Sequence, residues 1–118
     1  MNWIVEFHPL FANEFKTFTE NVQDALLEDL EILEKFGPQL GRPSVDTLKG
    51  SKHTNMKELR FNADDGVWRM AFAFDPRRKA ILLVAGDKSG KSSQRFYKNL
   101  IKKADKRFDD HLQRLREE

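Results

Sequence analysis

Hydrophobic positions along the chain change their period three times, and those changes divide it into elements. Trp3-Ile4-Val5-Glu6-Phe7 is a short β-prone run closed by Pro9 and reads as a strand. From Leu10 to Phe18 the spacing turns helical, with Phe11, Phe15 and Phe18 recurring on one side. Residues 20–36 carry the clearest stripe, Val22, Leu26, Leu30 and Leu33, while Glu20, Asp24, Glu28, Glu31 and Glu34 cover other faces. Gly37-Pro38 stops this helix, since glycine suits the C-cap and proline cannot continue the helical ladder. The break near Thr19 makes the two segments an αα-hairpin. Residues 37–55 hold three glycines, two prolines and two serines, and read as an ordered, irregular loop inside one domain.

Period two then takes over. Lys57-Glu58-Leu59-Arg60-Phe61 alternates, Asp65-Gly66 signals a hairpin, and Val67 to Phe74 forms the next strand. Asp75-Pro76 turns the chain into Ala80–Ala85, a run apolar enough to be a central strand. Gly86 to Ser93 is polar. A last helix follows, with Phe96, Leu100, Ala104 and Phe108 at intervals of four. The order β-α-α-loop-β-β-β-α predicts an α+β fold: an N-terminal strand and helical hairpin packed on an antiparallel sheet, completed by a C-terminal helix. Neither repeats nor low-complexity tracts interrupt it, and 118 residues suit a single domain over 1–118.

Composition narrows the class. The chain contains no cysteine, which excludes a disulfide framework and a thiolate zinc finger. No apolar run approaches the roughly 18 residues of a membrane helix, and Met1-Asn2-Trp3 opens no basic leader, so a cytoplasmic protein without a membrane partner is expected. A net charge of +2 hides an asymmetry: residues 1–36 carry −6, residues 37–76 carry +1, and residues 77–118 carry +7. A basic C-terminal third fits a polyanionic partner such as nucleic acid, or a solvated helix with extra lysines.

Several chemistries lack their motifs. Gly86-Asp-Lys-Ser-Gly-Lys-Ser92 imitates the end of a phosphate loop, but the first glycine of a Walker sequence would fall at Ala85. His8, His53 and His111 lie on three separate elements without ligand spacing, so neither a metal nor another cofactor is expected. What remains is a set of cations on strands. If Leu59 and Phe61 face the helices, Arg60 lies on the opposite, open face with Glu58. Trp68, Met70, Phe72 and Phe74 likewise leave Arg69 beside Ala71 and Ala73, whose small side chains would make room for a ligand. Lys88 and Lys91 follow at the rim. Such a face would grip a phosphodiester, because guanidinium forks match phosphate oxygens and fixed cations stabilise developing charge. The alternative is that Arg60 and Arg69 form ordinary surface ion pairs with Glu58 and Asp75.

The ordered stretches Leu48-Lys49-Gly50, Met56-Lys-Glu-Leu-Arg-Phe61, Gly66-Val-Trp-Arg69 and Leu82-Leu-Val-Ala-Gly-Asp-Lys88 resemble the RelE/HigB-like toxins of bacterial toxin–antitoxin modules, and within them the phage-derived Gp49-like branch. The likeness runs from the opening strand to the Arg95-Phe-Tyr-Lys helix. It implies a RelE-like fold and a metal-independent endoribonuclease that cleaves mRNA, usually on the translating ribosome, by attack of the RNA 2′-hydroxyl on the adjacent phosphate. It also implies a cognate antitoxin of helix-turn-helix type as partner, with operator DNA reached only through that antitoxin.

Carried over by position, Arg69 would be the main phosphate clamp, supported by Arg60 and Lys88. Tyr97 would be the general base, or a packing residue beside Phe96, and His53 is the alternative base. Lys49, Lys52, Lys57 and Lys91 would contact RNA, although alternation points Lys57 with Leu59 toward the helical layer. Two other functions compete. A ParE-like gyrase poison shares the fold but generally lacks the Arg60/Arg69/Lys88 set, and an inactive descendant would only bind antitoxin and DNA. The acidic hairpin should face away from nucleic acid, and the antitoxin should wrap the helical or sheet-rim surface.

Overall fold

The computed structural model describes residues 2–118. Five strands, β1 (Ile4–Phe7), β2 (Val45–Thr47), β3 (Met56–Ala63), β4 (Gly66–Phe74) and β5 (Lys79–Asp87), form one sheet in the order β1-β5-β4-β3-β2. Helices α1 (Pro9–Phe15) and α2 (Glu20–Phe36) pack on one face, and α3 (Ser93–Glu117) packs on the other. The α+β order expected from the sequence is present, and β3, β4 and β5 form the antiparallel meander. Two additions complete the sheet. β1 joins β5 in parallel, from Ile4 opposite Lys79 to Phe7 opposite Leu82. Within the predicted irregular loop, β2 pairs with the far edge of β3.

Local signals explain the element boundaries. Pro9 enters α1 in its first turn, where its missing N–H costs no hydrogen bond, and His8 Nδ1 accepts the Leu10 N–H at 3.2 Å. Thr19 caps α2 by accepting the Val22 N–H at 3.3 Å. Gly37 ends α2 with a φ of +56°, and the Trp3 indole lies so close that a Cβ on Gly37 would sit 2.2 Å from its Nε1. The β3–β4 hairpin turns one residue earlier than predicted, through Asp64 and Asp65, both with positive φ as a type I′ turn requires. The Asp64 carboxylate accepts from Thr19 Oγ1 and Asn21 Nδ2 at 2.5 and 2.8 Å, tying the turn to the start of α2.

Strand alternation splits the apolar side chains into two cores. Leu59, Met70, Phe72 and Leu82 face the hairpin and pack with Phe11, Leu26 and Leu33. Met56, Ala71, Ala73, Ile81 and Leu83 face α3 and pack with Phe96, Leu100, Ala104 and Phe108. Each large side chain buried this way contributes about 1.5–3 kcal/mol. This second core corrects one expectation: the sheet face carrying Ala71 and Ala73 is covered, and the alanines make room for α3 instead of a ligand. The cations on that face are therefore confined to the sheet end where α3 begins.

Candidate active site

At that end, period-two alternation places Glu58 and Arg60 on the face of β3 shared with Met56. The β3–β4 register sets Arg69 directly opposite Arg60, with Gly86 of β5 opposite Arg69 in turn. Cross-strand partners have Cβ atoms about 5 Å apart, so two guanidinium groups share one patch, an arrangement that repulsion disfavours without an anion. Arg60 Nε donates to Glu58 Oε1 at 2.8 Å, and its Nη2 lies 3.6 Å from Asp46 Oδ2 on β2. This hydrogen bond, accepted by Glu58, raises the Arg60 pKa above its ordinary value. Glu58 itself is buried, with 4% of its surface exposed.

Among the described residues Arg69 has no such carboxylate. Its Nη1 donates to the Trp68 carbonyl at 2.9 Å, and its Nε is the one buried side-chain polar atom without a partner among the described residues. A buried donor left unpaired costs on the order of 1–3 kcal/mol, which an anionic oxygen would recover. Tyr97, from the first turns of α3, stands beside both Arg69 and Glu58 and is half-buried. Burial raises its pKa above the ordinary tyrosine value, Arg69 pulls it back, and the Glu58 charge raises it again. The phenol therefore keeps its proton through neutral pH. Lys88 Nζ lies 5.8 Å from the Tyr97 ring centroid. Its backbone is fixed by an N–H donated to Val67 O at 2.7 Å, next to the Asp87 carboxylate that accepts from Val67 and Ser89 N–H groups.

A cleft of about 350 Å³ opens beside this cluster, between Arg42, Asp46, Lys49, Glu58, Arg60 and Tyr97. Its size falls within the range of small-ligand clefts. Of the residues expected from the sequence, Arg60, Arg69, Lys88, Tyr97 and Lys49 thus come together. The others do not. His53 Nε2 is 2.8 Å from Asp109 Oδ1 and its ring packs edge-on against Phe108, eleven residues, or roughly 16.5 Å, along α3 from Tyr97. Lys52 is held by the same Asp109. Lys57 bonds Thr47 Oγ1 at 3.3 Å from the strand face that carries Leu59, opposite to Arg60. Lys91 sits over Phe96, 6.0 Å from its centroid, and borders a different groove. Asp75 is not a partner for Arg69, because it accepts from the Arg77 and Lys79 N–H groups and contacts His111 at 2.8 Å.

Glu58 is the residue that the sequence reading underrated. The same alternation that exposes Arg60 also places this carboxylate on the same face, where sequence alone suggests only an ion pair and the structure adds burial beside Tyr97. Arg42 and Asp46, 3.0 Å apart on the cleft wall, carried no signal because β2 has no pattern of its own. Among the described residues, no three His, Asp or Glu side chains are grouped as a metal ion would need. No helix among them is long and apolar enough to cross a membrane.

Residues 13–109 match the family described as phage derived protein Gp49-like. Two curated relatives come from Mycobacterium tuberculosis, both provisionally named toxins. HigB2 is 51% identical over 84 residues, which cover 70% of this chain and 41% of HigB2. HigB3 is 49% identical over 83 residues, covering 70% of each. The chain thus spans well under half of HigB2. Among solved structures, a mutant of the E. coli toxin RelE in the free state superposes with a TM-score of 0.60 at 12% identity, covering 86% of this chain and 95% of RelE. The RelE of an archaeal RelE–RelB complex from Pyrococcus horikoshii superposes with a TM-score of 0.53 at 19% identity, covering 76% of this chain and 99% of that one. At such identities the likeness is one of fold.

Proposed function

We propose, from the premise that this chain belongs to the phage-derived Gp49-like family, that it is the toxin of a toxin–antitoxin module and a metal-independent endoribonuclease acting on mRNA at the ribosome. The observation that carries this reading is the Arg60–Arg69 pair, set opposite each other and closed over by Tyr97, with a buried carboxylate and an unpaired Arg69 donor in the same patch. Two adjacent forks suit one phosphodiester, whose non-bridging oxygens would take up the Arg69 Nε and the Arg60 donors now shared with Glu58.

In the reaction, the RNA 2′-oxygen bonds to phosphorus while the bond from phosphorus to the 5′-oxygen breaks. The products are a 2′,3′-cyclic phosphate and a 5′-hydroxyl end. Glu58, relieved of Arg60 by the incoming phosphate, takes the 2′-hydroxyl proton. Tyr97, kept protonated by burial, gives its proton to the departing 5′-oxygen. Arg69 and Arg60 hold the charge that grows on the phosphorane oxygens, and Lys88 adds to that field. This assigns Tyr97 the acid role in place of the base role expected from the sequence, since a raised pKa favours the donor form. Lys49 and Arg42 lie on the cleft wall where the neighbouring phosphate would pass.

A cognate antitoxin of helix-turn-helix type, which would also carry the contact with operator DNA, belongs to the same reading. Its support is that one structure of matching fold is a RelE–RelB complex. The test is induced expression in bacteria without antitoxin, with mapping of mRNA 5′ ends beside an Arg69→Ala control. Cleavage confined to translated frames and absent in Arg69→Ala is the expected result. Growth arrest with intact mRNA would overturn the nuclease reading and bring the gyrase alternative forward.

A further inference from the structure

Helix α3 divides its charges unevenly. Toward its C-terminus α3 forms three ion pairs: Arg107 with Glu14, Asp109 with Lys52, and Arg114 with Asp110. From its first turn to just past its middle, Arg95, Lys98, Lys102 and Lys106 are all exposed, and none has a carboxylate partner among the described residues. The first turn holds no acidic residue at all. Cations there oppose the positive end of the helix dipole, so local stability does not account for them. By the 3.6-residue period the four fall within an arc of about 80°, turned away from the Phe96, Leu100 and Ala104 face that packs on the sheet. They run for about 16 Å along the axis.

We propose that this row is a docking track for the phosphates of an RNA strand that continues past the candidate active site. RNA is chosen as the polyanion on the strength of the nuclease reading, and the track deepens that reading by naming a second contact surface. Its length matches about four or five phosphates at the ~3.4 Å axial spacing of a stacked strand. At the start of α3, Lys91 stands over the Phe96 ring and Lys88 over the Tyr97 ring, with the Asp87 carboxylate beside Lys91. The acidic hairpin, with −6 over residues 1–36, lies on the opposite face of the sheet and leaves this side as the one an RNA approaches. A lipid surface fits poorly, because the apolar face of α3 is buried against the sheet and the neighbours of the row are polar.

The probe is a fluorescein-labelled RNA of about 12 nucleotides with 2′-O-methyl riboses, long enough for the track and unable to react because its attacking hydroxyl is blocked. Its binding to the full chain is followed by anisotropy between about 50 and 200 mM NaCl. Replacing Lys98, Lys102 and Lys106 by Gln should weaken binding by roughly tenfold or more and reduce the slope of log K against log salt by about 2, since each single-strand phosphate contact contributes about 0.7. Arg69→Ala should keep most of the slope while losing cleavage of unmodified RNA. Circular dichroism melts that coincide for all variants keep the comparison on binding. Unchanged affinity and slope in the triple variant would overturn the track, as would a loss confined to phosphatidylserine vesicles. RNA binding that depends on the row in a chain that cleaves nothing would retain the track and sink the nuclease reading.

Discussion

Arg60 and Arg69 are direct partners across the β3–β4 ladder, and only Arg60 is neutralised, by Glu58 at 2.8 Å. The cost of setting like charges opposite each other is therefore left on Arg69, whose Nε is also unpaired. A pair arranged for stability alone would place a carboxylate or a small polar side chain at one of these positions. The imbalance disappears when a phosphate lies between the two forks.

Removing one fork should separate function from folding. Arg69→Ala is expected to lower the cleavage rate by about 10²–10³-fold, the loss typical of removing one donor to a developing oxyanion. Its melting temperature should hold or rise slightly, because a repulsive pair is relieved. Arg69→Lys should recover little activity, since an ammonium group lacks the planar fork. Single-turnover cleavage and thermal melts on the same preparations check both halves.

In the proposed mechanism Glu58 and Tyr97 divide the proton traffic, and their variants should differ in kinetics. Glu58→Gln keeps an acceptor for Arg60 but cannot take a proton, so the rate should fall by about 10²–10⁴-fold. Tyr97→Phe should lose roughly 10²-fold and abolish any alkaline limb. In the wild type that limb lies above the ordinary tyrosine range, because burial raises the Tyr97 pKa. Rates measured from acid to alkaline pH decide the assignment, and a Glu58→Gln rate equal to wild type would remove Glu58 as base.

Acid stability depends on His8, which is 2% exposed. Its Nδ1 accepts the Leu10 N–H, which leaves the proton on Nε2 to be donated to Asp110 at 3.0 Å. Burial lowers its pKa below the ordinary histidine value of 6.5, outweighing the opposing pull of Asp110. The unfolded chain therefore binds a proton first as pH falls, and stability declines from about pH 6.5 downward through the folded pKa. His8→Asn can keep the α1 cap without titrating, so its melting temperature should vary less between pH 7.5 and 5.5 than that of the wild type. Parallel slopes for the two proteins would exclude this histidine as a source of the acid sensitivity.

How much of the fold the sequence discloses depends on how local the cause is. The α2 stripe, the break near Thr19 before it and the Gly37 stop after it are local features, and they are where the pattern placed them. Alternation likewise set Arg60 and Arg69 on one face, because period two is a property of each strand. β2 was missed since three residues pair only by meeting the edge of β3. Ala71 and Ala73 looked like space for a ligand because nothing near them in the chain announces α3. His53 and Lys52 looked available for the same reason: Asp109, which holds both, lies more than fifty residues away.

That division of α3 makes its C-terminal half an anchor, with Arg107 at the centre. Only 8% of this residue is exposed, and its guanidinium donates to both Glu14 oxygens at 2.8 and 2.7 Å and to the Leu83 carbonyl at 2.8 Å. Leu83 is the extra residue of a β5 bulge, flanked by Phe72 opposite Leu82 and Ala71 opposite Val84. One side chain thus ties α1, β5 and α3 together. Arg107→Leu should cost about 2–4 kcal/mol in urea unfolding, because the Leu83 carbonyl loses its buried donor and Glu14 loses its partner. Glu14→Gln should cost less, since the amide still accepts a hydrogen bond and the site is partly solvated. Glu14 is held below the ordinary carboxyl pKa by Arg107, so its share of stability is present above about pH 4.5 and is lost as the pH falls through its folded value. Cleavage per folded molecule should survive both changes, as Arg107 lies ten residues, or about 15 Å, along the helix from Tyr97. A loss of cleavage at unchanged stability would instead tie the anchor to the active end of α3.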